Sequence, residues 1–201
     1  MKCLSVAPPT GYSDGMMKQA APEKGFQMDI ATYSILRHNV DNVGAGLTHA
    51  QIPSLHTRAR AVIVQPLATL RYRSLGAASF AGVLDEAQQY QFHFGSDVMP
   101  SRMVELGRYS QNPVKTEPIH LFELEKAVSA AGQPVRSLHG AASNFIIGRG
   151  FARYGQTSDL SAETLSVKVR YGAATMQKIF NCCIYHLNRI TISRSGVTAT
   201  I

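Results

Sequence analysis

His120 and Glu123 stand three residues apart in a segment with helical spacing, which puts an imidazole and a carboxylate on one face, within reach of a shared proton or metal ion. Two ligands are too few for a metal centre. Glu123 and Glu125, read as first-turn residues, also complement a helix dipole, so the pair reads as structural. Gly148-Arg149-Gly150-Phe151-Ala152-Arg153 opens like a dinucleotide fingerprint, but Arg153 stands where the third glycine belongs and no strand-helix-strand unit surrounds it. These glycines read instead as strand positions, bent or bulged, where backbone can approach closely. Arg149 and Arg153 remain able to hold an acidic partner. Cys182 and Cys183 are adjacent, so on a strand they face opposite sides, one of them in the core as a small hydrophobe. The seven histidines are scattered without ligand spacing, and no nucleophile elbow, phosphate-binding loop or Cys/His nucleophile signature occurs. A carboxylate pair assembled from distant positions stays open. The sequence therefore names no catalytic, cofactor-binding or metal-ligating residue, and the expectation is a protein without a cofactor that is not an enzyme.

The elements that would carry these residues are mostly strands. Leu165, Val167, Val169 and Tyr171 alternate with Ser166, Lys168 and Arg170, the mark of a half-buried strand. Tyr90, Phe92 and Phe94 repeat the pattern against Gln89, Gln91 and His93. Because the flanking positions are uncharged, these rings read as core rather than as a base-stacking platform. Further strands are predicted over 28–36, about Ile52, over 59–64 ending at Pro66, over 145–147, and over 179–186, 190–193 and 197–201, with a hairpin turn at Ser195-Gly196. Residues 74–87 are helix-compatible. Gly95-Ser96-Asp97 turns the aromatic strand into a polar loop that runs to Pro118. There a helix begins, Pro118 at its first position and Ile119, Phe122, Leu124, Ala127, Val128 and Ala131 on its apolar face, until Gly132 stops it.

The predicted fold class is mainly β, an antiparallel two-sheet jelly-roll sandwich with one helix, about 118–131, in a long connection. Residues 1–26, broken by Pro8-Pro9, Gly11, Gly15, Pro22 and Gly25, read as a flexible N-terminal arm and 27–201 as one jelly-roll domain. No apolar run is long enough to span a membrane, and the N-terminal apolar run breaks too early for a secretory signal. Three cysteines and no Asn-x-Ser/Thr site point to a reducing, intracellular setting. Of the net charge of +7, residues 101–201 carry 12 Lys/Arg against 6 Asp/Glu, and residues 1–100 carry 8 against 7. Such a balance favours acidic surfaces or nucleic acid, but the basic residues are dispersed, which suits a solvated face equally.

The order of segments carries a resemblance. Ile52-Pro53, the strand Ala59-Arg60-Ala61-Val62-Ile63-Val64, then Tyr90-Gln91-Phe92-His93-Phe94-Gly95 leading to Met99-Pro100-Ser101-Arg102, and the closing strands 165–171 and 179–192, resemble the C-terminal jelly roll of hexon-like double jelly-roll major capsid proteins of Polinton-like elements, virophages and adenovirus relatives. The likeness runs over residues 28–201. It implies a structural protein of the virion, intracellular in the host during assembly, that joins copies of itself and other capsid proteins as trimers in an icosahedral shell, with non-specific contact to packaged DNA. Those proteins hold two jelly rolls, so the resemblance implies a C-terminal fragment or split reading frame here. Two other readings stay open: a carbohydrate- or ligand-binding β-sandwich domain, and a basic nucleic-acid-binding protein.

Overall fold

Alternation of apolar and polar side chains builds strands with one dry face each, and two such sheets bury their dry faces against one another. The computed structural model describes residues 25–40, 45–68, 87–106, 118–132, 146–151, 157–172, 177–193 and 196–200. Its elements run β1 (Phe26–Val40), β2 (Gly46–Ile52), β3 (Ala59–Ala68), β4 (Ala87–Phe94), β5 (Asp97–Glu105), α1 (Pro118–Ala130), β6 (Ile147–Gly150), β7 (Leu165–Tyr171), β8 (Lys178–Ser193) and β9 (Gly196–Thr200). One sheet has the order β1-β8-β3-β6, with β9 also on β8; the other has the order β2-β7-β4-β5. The neighbours 1 and 8, 2 and 7, 3 and 6, and 4 and 5 are those of one long antiparallel ribbon rolled up on itself. The fold is a jelly roll.

The chain divides into two compact units, Ala31–His186 and a smaller one made of Met1–Ile30 with Leu187–Ile201. In the larger unit the inward positions form a single core. Ala50 and Ile52 of β2, Val62 and Val64 of β3, Tyr90 and Phe92 of β4, Leu165, Val167 and Val169 of β7, and Phe180, Cys182 and Ile184 of β8 are all buried in it. The period-2 reading of β4 and β7 holds for Tyr90, Phe92, Leu165, Val167, Val169 and Tyr171, all buried, whereas Ser166 of the predicted wet face is buried too and Phe94 only partly so; Tyr90 and Phe92 meet edge to face at 6.0 Å. In the smaller unit, β9 pairs antiparallel with the end of β8 from Ser193↔Gly196 to Arg189↔Thr200, and Arg189 grips Asp29 with Nε at 3.0 Å and Nη2 at 3.4 Å. Gly25 closes on this unit with φ +64, and a Cβ there would lie 2.7 Å from the Ile192 carbonyl oxygen.

Several expectations need correction. The polar loop after Asp97 is in its first part a strand: β5 pairs with β4 from Phe94↔Asp97 to Gln89↔Glu105. It forms the edge of its sheet, where Pro100 is tolerated, and Val104 is its one buried side chain. Pro66 does not end β3, which pairs with β8 as far as Ala68. Pairing of β3 with β6 stops at Val64, so among the described residues Pro66 has a strand on one side only. The segments 179–186 and 190–193 are one 16-residue strand. Phe26 belongs to β1 rather than to the arm. Residues 1–24 of the predicted arm, the segment 74–86, the loop 107–117 and the turn residue Ser195 lie outside the described residues. No helix among the described residues is long and apolar enough to cross a membrane.

Candidate functional site

Helix α1 lies in the connection between β5 and β6, and its seat explains the glycine-arginine-glycine motif. Gly148 pairs with Ile63 and Gly150 with Ala61 across β6 and β3. A Cβ on Gly148 would sit 2.8 Å from Ala127 Cβ, and one on Gly150 would sit 2.8 Å from the Lys126 carbonyl oxygen. Both glycines, with Ala61, leave a smooth patch onto which Ala127, Ala130 and Ala131 settle. The helix ends as its sequence predicts, at Gly132 with φ +78, whose N–H donates to the Ser129 carbonyl at 2.9 Å. The acidic partner of Arg149 is Glu123 of the same chain, and Arg153 lies outside the described residues.

The buried face of α1 is only in part the one its apolar residues mark: Leu124, Ala127 and Ala131 are buried as their spacing predicts, but Ile119 and Phe122 are not. His120, Glu123, Leu124 and Ala127 point inward, whereas Ile119 is 62% and Phe122 56% exposed. Glu123 is in the second turn, with no acidic residue in the first, so its role is not dipole compensation. Its carboxylate accepts from Arg149 Nη1 and, at 3.0 Å, from Lys126 Nζ. Lys126 in turn stands 4.1 Å from the centre of the Phe122 ring. His120 Nδ1 lies 3.4 Å from the Tyr90 hydroxyl, and the two rings meet edge on. Burial holds the His120 pKa down at about 4. Burial also raises that of Tyr90, helped by the Glu123 charge and opposed by Arg149. The polar face thus locks the helix to the sandwich. His120 and Glu123 share a helix face, as their spacing requires, but each spends its polar atoms on a different partner.

A second histidine pair could not have been found by spacing. His56, in the β2–β3 turn, stacks on His186 of β8 with ring centres 3.8 Å apart and planes 16° from parallel. Ser34 Oγ is 3.0 Å from His186 Nε2. Burial and the His186 charge both lower the His56 pKa. Among the described residues no group of three His, Cys, Asp or Glu is placed to hold a metal ion. Of the adjacent cysteines, Cys182 is in the core and Cys183 on the outer face, as alternation demands. Burial first, and Cys183 second, push the Cys182 thiol up to about 12, so it is inert as a nucleophile.

The two outward sheet faces of the larger unit differ in chemistry. On the β2-β7-β4-β5 sheet, cross-strand rows place His49 beside Lys168 and Gln91, and Leu47 beside Arg170 and Gln89. This face is wet and basic, and the His93 pKa is lowered by burial, then by Lys168 and His49. On the β1-β8-β3-β6 sheet α1 covers Ala61, and beyond it Ile63 pairs with Cys183 and Gln65 with Asn181, so apolar and polar rows alternate. Tyr33 lies 6.0 Å from Tyr185, ring to ring, and Tyr33 and Ile35 are 59% and 58% exposed. A groove of about 280 Å³ runs here, lined by Ile35, Arg37, Ile63, Gln65, Ile146, Asn181 and Cys183. Large apolar side chains left in water on an otherwise orderly sheet are the usual mark of an association surface.

No protein-family model matches this sequence, and no curated protein matches it. Solved structures do. A chain of the PBCV-1 virus capsid superposes with a TM-score of 0.51 over 88% of this chain, at 7% identity. The fold is one found in a viral capsid. The major capsid protein P2 of bacteriophage PM2 aligns over 82% of this chain at 13% identity, with a TM-score of 0.40. This chain spans about half of each, 52% of the PBCV-1 chain and 47% of P2.

Proposed function

We propose that this protein is a structural capsid protein that works by assembly rather than by catalysis, its jelly roll packing beside copies of itself and other capsid proteins in the virion. The observation that carries the reading is the superposition on the PBCV-1 capsid chain over 88% of the length. Two features of the molecule support it. The apolar side chains exposed on the outward face of the β1-β8-β3-β6 sheet suit burial by a neighbour, and the polar side chains behind α1 are engaged with one another rather than open to a substrate. The chain spans 52% of its capsid counterpart, and in this reading a second jelly roll, either fused or supplied by another chain, completes the assembling unit. Trimers of such units in a hexon-like lattice would repeat the same apolar contacts around an axis. The basic outward face of the other sheet then suits non-specific contact with packaged DNA.

Light scattering coupled to size-exclusion chromatography over a range of concentrations, followed by electron microscopy of any large species, tests the proposal. Discrete oligomers are expected. A protein that stays monomeric at high concentration, and also when a second jelly roll is co-expressed, would overturn it. Steep salt-sensitive binding of DNA by a persistent monomer would favour the nucleic-acid reading instead.

A further inference from the structure

Strand β1 has β8 on one side and, among the described residues, no strand on the other. It is 15 residues long, Phe26-Gln-Met-Asp-Ile-Ala-Thr-Tyr33-Ser-Ile-Leu-Arg-His-Asn-Val40. A long open edge is a template for another strand, and proteins that avoid such pairing place prolines, lysines or bulges along it. This edge has neither proline nor lysine.

Its sequence is also a chemical palindrome about its midpoint. If a second copy of β1 runs antiparallel with Tyr33 opposite Tyr33, then Thr32 faces Ser34, Ala31 faces Ile35, Ile30 faces Leu36, Asp29 faces Arg37, Met28 faces His38, Gln27 faces Asn39 and Phe26 faces Val40. Hydroxyl meets hydroxyl, apolar meets apolar, amide meets amide, and the strand's one acid meets its one arginine, Met28 opposite His38 being the one unlike pair. Charge complementarity and length select the same register, because residues 29 and 37 are as symmetric about Tyr33 as the strand's two ends. A two-fold axis makes the Asp29 and Arg37 pairing occur twice. Asp29 is already held by Arg189, and a carboxylate has acceptor sites for a second cation. Opposed residues in antiparallel strands project from the same face. Tyr33, Ile35 and Arg37 lie on the outward one, where odd-numbered residues from 31 to 39 are exposed and even-numbered ones are half-buried.

We propose that two copies of this protein join through β1, antiparallel and in register about Tyr33, so that the β1-β8-β3-β6 sheet continues across a molecular two-fold axis. This contact deepens the assembly reading and rests on it only in requiring that copies meet. Cysteine cross-linking of the full chain tests it, because opposed Cα atoms in such a pair come within disulfide range. Tyr33 and Ile35 are exposed enough to be replaced without loss of the core. Tyr33→Cys should cross-link to itself under mild oxidation, giving a tryptic peptide of residues 25–37 linked to its own copy. Ile35→Cys should not, being displaced from its own copy by several residues, whereas a mixture of Ala31→Cys and Ile35→Cys proteins should cross-link to each other. Arg37→Asp, which turns both ion pairs into repulsions, should weaken dimerisation by roughly tenfold. Assemblies seen by light scattering without the 33-to-33 link would overturn this contact and leave the capsid reading intact. Equal cross-linking at 33 and 35 would also overturn it, as would a strict monomer, which sinks both.

Discussion

Acidification should loosen this protein through one side chain. His120 is 3% exposed, and its folded pKa of about 4 lies below the 6.5 of an unfolded histidine. The unfolded chain therefore binds a proton that the folded chain refuses over this interval, so stability rises with pH there. The contribution is fully present above pH 6.5, falls as pH drops, and is exhausted below pH 4. The displacement corresponds to about 3 kcal/mol in all, of which about 2 kcal/mol is lost by pH 5. For a chain of this size that is roughly 4–8 °C in Tm. Urea unfolding at a series of pH values between 7.5 and 4.5 measures it, with His120→Gln as the comparison, since glutamine keeps hydrogen-bonding atoms beside the Tyr90 hydroxyl but does not titrate. His56 and His93, also shifted down, tilt both proteins alike. The parent should lose about 2 kcal/mol more than the variant between pH 7.5 and 5. Parallel stability curves for the two proteins would refute the claim that His120 is held neutral behind α1.

The glycine seat makes a second prediction: Gly150→Ala should cost about 1–3 kcal/mol by overpacking, because its Cβ meets the Lys126 backbone rather than a side chain that can yield. Thermal unfolding measures this, and an unchanged Tm would mean the helix does not sit on β6. Replacing Glu123 by Gln weakens two charge-assisted bonds to Arg149 and Lys126 and should lower stability by about 1–3 kcal/mol at pH 7. A denaturant midpoint equal to that of the parent would show that solvent already screens the cluster. Cys182 should resist iodoacetamide in the folded protein and react once it unfolds, with mass spectrometry locating the label. Labelling of Cys182 as fast as Cys183 under native conditions would contradict its place in the core.

How much of this was readable beforehand depends on what each residue's partner is. Strands β4 and β7 were legible because both pair on two sides within a sheet that has one dry face, so alternation translates directly into burial. Strand β5 was not, since an edge strand is held through its backbone and needs only one buried side chain. The close approach at Gly148 and Gly150 was foreseeable, but not that α1 would be the approaching element. The helix itself, its proline start and its glycine stop were written locally, because propensity and capping act within a few residues. Its orientation was legible in part, for Leu124, Ala127 and Ala131 are buried as their spacing predicts. Ile119 and Phe122 lost the inward face to His120 and Glu123 because the surface that receives them offers Tyr90 and Arg149, two residues brought there from β4 and β6. The stacked His56 and His186, 130 positions apart, are likewise a product of the roll alone. Local pattern thus determined which segments are strands and which face of each is dry. The interleaving of eight strands decided which polar side chains meet, because such meetings depend on long-range register that no local period encodes.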